Sequence, residues 1–145
     1  MQIKTSKVIN SVVTDQPPFS KLIGGKVITA NQSLVEAELL VSKKLTNRNG
    51  VLHGGAIMAF ADNIGGTLTF LNLDEGWSTT TIESKTNFLR PAYLGQKITG
   101  KCVKLHAGSK TFVLQTKIHR EDKKLAAVVT QTQMILQFFK AGKPT

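Results

Sequence analysis

The 145-residue chain is 41 % hydrophobic and 19 % charged, a size and balance that fit one domain with a real core and exclude a disordered polymer. No apolar run reaches the roughly 18 residues of a membrane span, and a single cysteine, Cys102, excludes an internal disulfide and fits a reducing, cytoplasmic setting. The net charge of +10 raises nucleic acid as a partner. The Lys and Arg are scattered, however, without aromatic interleaving or a finger pattern, so no nucleic acid is expected. A polyphosphorylated small molecule would use the same positive field, and so would a basic surface that binds nothing.

In chain order, the start MQIKTSKVINSVVTDQPPF has no apolar core with a small-residue cleavage site, so no secretory signal is expected. Residues 5–14 read as a short amphipathic helix, ended before DQPPF because Pro17 and Pro18 cannot continue it. LIGGKVITAN and SLVEAELLVSKKL follow as two strands. In the second, Val35, Ala37, Leu39 and Val41 alternate with Glu36 and Glu38, which is strand periodicity. Residues 54–71, GGAIMAFADNIGGTLTFL, lack that alternation and are small or apolar nearly all round, predicting a helix enclosed by protein.

Four more strands complete the chain: WSTTTIESKTNFLR, QKITGKCVKLHA, KTFVLQTKIHRE and KLAAVVTQTQMILQFF. Their links, PAYLG, AGS and EDK, are too short for a parallel crossover, so a meander of antiparallel hairpins is expected. With no repeat and no linker, residues 1–145 read as one α+β domain: an antiparallel sheet curled around one long central helix.

The chemistry concentrates in NRNGVLHGGAIMAFADN, residues 47–63. Gly54 and Gly55 stand where the helix begins. The first-turn N–H groups there lack intrahelical partners and, with the helix dipole, suit a carbonyl oxygen or oxyanion. His53 either orients this turn or adds a donor. Asp62 is a lone acid in an apolar segment, which is costly unless the carboxylate is paired or put to use. A hydrogen-bonded core acid is the competing account. Asp62 lies seven residues beyond Gly55, about 10 Å along the axis at ~1.5 Å per residue. One carbonyl oxygen cannot touch both on the same helix. If both act on one substrate, the acid comes from a second copy of the chain. The three histidines lack ligand spacing, so neither a metal nor another cofactor is expected.

An Asn six residues before the His, an acid nine after it, and a later strand ending NFLRPAYLG together resemble the hotdog-fold acyl-CoA thioesterases of the phenylacetyl-CoA-thioesterase type. The resemblance runs from PPFSKLIGGKV to KLAAVVTQT and implies a sheet wrapped around one long helix. It implies that Asp62 is the catalytic carboxylate, activating water or attacking the thioester. Gly54 then polarises the thioester carbonyl through its N–H, with His53 and Gly55 beside it and the Asn47 amide nearby. Where relatives with Glu at the acid position carry Ser or Thr four residues later, this chain has Gly66. In Asp-type relatives a hydroxyl of the following strand substitutes, and the anchor NFLRPA assigns that role to Thr81, with Thr79 on the same face and Thr80 pointing away. Arg90 and the turn Gly108, Ser109, Lys110 match regions that approach coenzyme A. The resemblance further implies a homo-oligomer, a dimer or a homotetrameric dimer of dimers, with interfacial active sites. A hydroxyacyl-thioester dehydratase, a non-catalytic acyl-CoA-binding or regulatory protein of the same fold, and a nucleic-acid binder are the rival readings.

Overall fold

The computed structural model describes residues 4–137. Helices α1 (Ser6–Thr14) and α2 (Pro18–Ile23) lead into strands β1 (Lys26–Ala30) and β2 (Leu34–Leu40). A 3-10 turn (Lys43–Leu45), the long helix α3 (Gly54–Phe70) and strands β3 (Trp77–Phe88), β4 (Lys97–Ala107), β5 (Thr111–Arg120) and β6 (Leu125–Gln137) follow. The six strands form one antiparallel sheet in the order β1-β2-β4-β5-β6-β3, and α3 packs on its inner face against β2 to β6. The single helix held by a single sheet is the arrangement that the sequence implies. The last two residues of the expected final strand, 138 and 139, lie outside the described residues.

Helix α2 is missing from the sequence expectation. Pro17 and Pro18 end one helix and also begin the next: Pro18 occupies the first helical position, where its missing N–H costs nothing. Gly24, at φ 85°, then closes α2 in the left-handed region, its N–H on the Ser20 and Lys21 carbonyls. The corner between α1 and α2 is tied to α3 by Asn63, whose Nδ2 donates to Gln16 Oε1 at 2.7 Å.

The meander is corrected at β3. This strand pairs with β6, not with β4, and forms one border of the sheet. Residues 89–96 must therefore cross the ends of β6 and β5. Three strand spacings are about 14 Å, while eight extended residues reach about 26 Å, so a short link does not require a hairpin. On the way, Leu89 and Arg90 bond to the Ala126 carbonyl, Tyr93 bridges Val51, and Gly95 bonds to Val41.

The enclosed helix is also corrected. Ile57, Phe60, Ala61, Ile64 and Leu68 are buried against the sheet, a spacing of three and four residues. Gly55, Met58, Asp62 and Phe70 are exposed on the other side. Glycine and alanine on the open side hide this two-sidedness, because a hydropathy pattern counts them as apolar.

Close approach of α3 depends on a bare backbone at Gly100 in β4. A Cβ there would stand 2.6 Å from Ile64 Cδ1 and 2.9 Å from Phe60 Cε1. Gly66, in contrast, has open space where a Cβ would stand. Gly100→Ala is expected to cost about 1–3 kcal/mol by overpacking. Gly66→Ala gains up to about 1 kcal/mol of helix propensity. Opposite shifts of the two melting temperatures check both.

Candidate active site

His53 caps α3. Its Nδ1 accepts the Gly55 N–H at 2.9 Å, and its carbonyl accepts from Ala56 and Ile57 at 2.9 and 3.2 Å. Of the first-turn donors, only the Gly54 N–H finds no partner among the described residues. The pair of glycines expected to share one role is thus divided: Gly55 completes the cap and Gly54 keeps a free donor at the positive helix end. Because Nδ1 accepts, a neutral His53 carries its proton on Nε2. The Phe88 ring lies directly over Gly54, and a Cβ at Gly54 would stand 3.1 Å from Phe88 Cζ.

Asn47 holds the loop before this turn. Its Oδ1 accepts from the Asn49 N–H at 2.9 Å and more weakly from Val51 at 3.4 Å. Asn47, Gly54, Phe88 and Arg90 line one cavity of about 440 Å³. Arg90 is partly committed, since its Nη1 donates to the Leu125 carbonyl at 2.8 Å.

Asp62 is exposed rather than core, so the account of it as a buried structural acid does not hold in this chain. It lines a separate cavity of about 600 Å³ between α1–α2 and α3, together with Thr79, Thr80, Thr81 and Gln133. Thr81 Oγ1 donates to Asp62 Oδ1 at 2.7 Å, so strand β3 brings the expected hydroxyl to the expected acid. Gln131 Nε2 approaches the same oxygen at 3.3 Å, and Gln133 Nε2 donates to Thr81 Oγ1 at 2.7 Å. Thr79 Oγ1 reaches Gln133 Oε1 at 2.9 Å and the Met134 carbonyl at 3.1 Å. Thr79 and Thr81 share the inner face and Thr80 is exposed; the register shifts between Thr81 and Glu83.

Gln131 and Gln133 are the residues that sequence reasoning missed. Both are only 1 % exposed, deep inside a strand whose outward neighbours Thr130 and Thr132 are polar as well. The period-two run TQTQ carried the signal, but with both faces polar it did not show which one turns inward. Gly65 makes room: a Cβ there would run into the Gln131 amide.

Gly108 and Ser109 border a third cavity of about 410 Å³ with Asn72, Asp74, Trp77 and Phe112, beside the end of α3. Lys110 is next in the chain; its carbonyl accepts from the Ile135 N–H. One subunit therefore does not gather the expected residues into a single pocket. Gly54, Asn47 and Arg90 meet at the start of α3, Asp62 and Thr81 midway, and the Gly108–Lys110 turn near its end.

A model of the thioesterase superfamily matches residues 49–127. A protein of Saccharolobus solfataricus is 33 % identical over 132 residues, covering 90 % of this chain and 92 % of its own. The 1,4-dihydroxy-2-naphthoyl-CoA hydrolase of Escherichia coli is 31 % identical over 102 residues, 70 % of this chain and 74 % of that one. Among solved structures, thioesterase HI1161 of Haemophilus influenzae superposes with a TM-score of 0.87 at 25 % identity, covering 99 % of this chain and 100 % of that one.

The one thiol lies away from all three cavities. Cys102 is fully buried in β4, and burial pushes its thiol up to about 11. A cysteine nucleophile is thereby disfavoured, since the thiolate is the reactive form. Native protein is expected to give no fast reaction with a thiol reagent near neutral pH, and one equivalent per chain after denaturation. A fast native equivalent would contradict the burial.

Proposed function

The chain belongs to the thioesterase superfamily, and from that premise we propose that it hydrolyses acyl-CoA through Gly54 of one subunit and Asp62 of another. The observation that carries this reading is the Gly54 N–H at the start of α3, which has no partner among the described residues, in a cavity distinct from that of Asp62. The eight-residue separation is about 12 Å along the helix, too far for one carbonyl to meet both.

Strand β3 supplies a physical route to a shared site. Its outer side has no partner strand among the described residues, and such an edge invites a second strand. Phe88 covers Gly54 at one end of β3, while Thr81 holds Asp62 seven residues earlier, about 23 Å away at ~3.3 Å per residue. Antiparallel pairing with a second copy, about a two-fold axis midway between them, brings Phe88 of one subunit beside Thr81 of the other. The open face of α3 is then covered as well.

In this arrangement the thioester oxygen takes the Gly54 N–H, where developing negative charge meets the positive helix end. Asp62 of the other subunit removes a proton from water, and the water oxygen attacks the carbonyl carbon. The C–S bond breaks, and the proton returns to the departing thiolate, giving free acid and CoA. Arg90 and the Gly108–Lys110 turn offer donors and positive charge suited to the phosphates. The E. coli relative's name makes aromatic acyl-CoAs the first substrates to try.

Thiol release from an acyl-CoA panel tests the reaction, and two variants test the shared site. Asp62→Asn removes the base. Gly54→Pro removes one N–H at a helix position that accepts proline, with the Phe88 ring yielding a few tenths of an ångström to the added Cβ. Each alone is expected to lose at least about 100-fold in kcat. After subunit exchange the mixture recovers about a quarter of wild-type activity, because half the dimers are mixed and each keeps one intact site. A mixture as inactive as its components overturns the shared site. Full activity in Asp62→Asn overturns the role of Asp62.

A further inference from the structure

The two buried glutamines behind Asp62 form an array with a fixed direction. A carboxylate only accepts hydrogen bonds. The Thr81 hydroxyl, 2.7 Å from Asp62 Oδ1, must therefore spend its one proton there. Its oxygen is left to accept, which requires the Gln133 amide to present Nε2, as it does at 2.7 Å. Gln133 Oε1 then turns to Thr79, whose one hydroxyl proton is shared between this oxygen at 2.9 Å and the Met134 carbonyl at 3.1 Å. The direction from Thr79 through Gln133 and Thr81 to Asp62 thus follows from the charge at its end.

Gln131 adds a second donor to the same Oδ1 at 3.3 Å. Its own Oε1 is buried with no partner among the described residues. Such an orphan acceptor is unfavourable and calls for an explanation. Gly65, whose missing Cβ leaves the space that the Gln131 amide occupies, is a second feature shaped around it. Both donors load Oδ1, and Asp62 Oδ2 takes no partner among the described residues, at the edge of the 600 Å³ cavity.

We propose that Gln133 and Gln131 are positioning residues that clamp Asp62 by Oδ1, so that Oδ2 is the oxygen that takes the proton from water. This rests on the hydrolase reading of Asp62. Gln133 acts only through Thr81, and Gln131 acts directly on the carboxylate.

That difference sets the experiment, a cycle of variants in the full-length protein assayed with the best acyl-CoA of the panel. Gln133→Met keeps the length and apolar volume of the side chain and removes its amide. It is expected to lower kcat by about 10- to 100-fold, as a misplaced reacting group does, with KM within about twofold. In a Thr81→Val background the same substitution costs nothing further, since the hydroxyl that it orients is gone. Gln131→Met, on the separate arm, still lowers kcat in that background. Wild-type kcat in Gln133→Met overturns the proposal. So does a loss that multiplies in full with Thr81→Val, which marks Gln133 as packing alone.

If Gln133→Met fails to fold, Thr79→Val decides, by removing the donor that orients the amide. It should lose kcat, and Thr79→Ser should restore it; wild-type kcat in Thr79→Val overturns the proposal. Asp62→Asn is run alongside. An inactive Asn variant beside a fully active Gln133→Met variant sinks the positioning role and leaves the hydrolase reading standing. An active Asn variant, or a wild type that hydrolyses nothing, removes both.

Discussion

The close seating of α3 on the sheet is the contact from which the rest of the molecule follows. It depends on two bare backbone positions. Gly100 in β4 admits Ile64 and Phe60, and Gly65 in α3 admits Gln131 from β6. With the helix this near, its buried stripe fills the concave face of the sheet, and interiors packed at such density leave no slack for an added methyl group. Asp62 follows Ala61 and precedes Ile64, both fully buried, so the position of the acid is inherited from that seating. A helix set a methyl group further out would lose the contact with Thr81 as well as the core.

The same helix supplies both features of the proposed site, and they differ in origin. At its start, the cap produces a donor: the His53 ring takes the Gly55 N–H and the His53 carbonyl takes the next two, which leaves Gly54. In its middle, side chains produce an acceptor held from behind by two neighbouring strands, through Thr81 of β3 and Gln131 and Gln133 of β6. The first is nearly insensitive to side-chain identity beyond the His53 ring and the need for a small residue under Phe88. The second depends on four particular polar side chains. Substitutions therefore have unequal reach around the two features.

A one-sided helix and a long unpaired border strand are both unfinished surfaces. Met58 and Phe70 remain exposed on α3, and Ile82 and Phe88 on β3. Covering these together satisfies the edge rule for sheets and the burial of apolar area with one operation, pairing with a second copy. In the proposed dimer the same operation brings the Gly54 donor of one copy toward the Asp62 carboxylate of the other. Assembly and chemistry then share one requirement.

Much was legible in the sequence because it is local. The alternation of Val35, Ala37 and Leu39 with Glu36 and Glu38 marks β2. The helix expected over 54–71 from its lack of strand alternation, and the acid at 62 two turns beyond Gly55, follow from local pattern and a fixed rise per residue, whereas the division between Gly54 and Gly55 came from the His53 ring. The family resemblance, anchored on NFLRPA, also pointed to Thr81, which the structure brings to Asp62. What the tertiary structure decided is non-local. It sent β3 to pair with β6, because eight residues span three strands as easily as they turn back. It opened one face of α3 that small residues had disguised, and it turned the polar residues of β6 at 131 and 133 inward. Each of these depends on which surfaces meet across the sheet, and residue spacing along one strand carries no record of its neighbour.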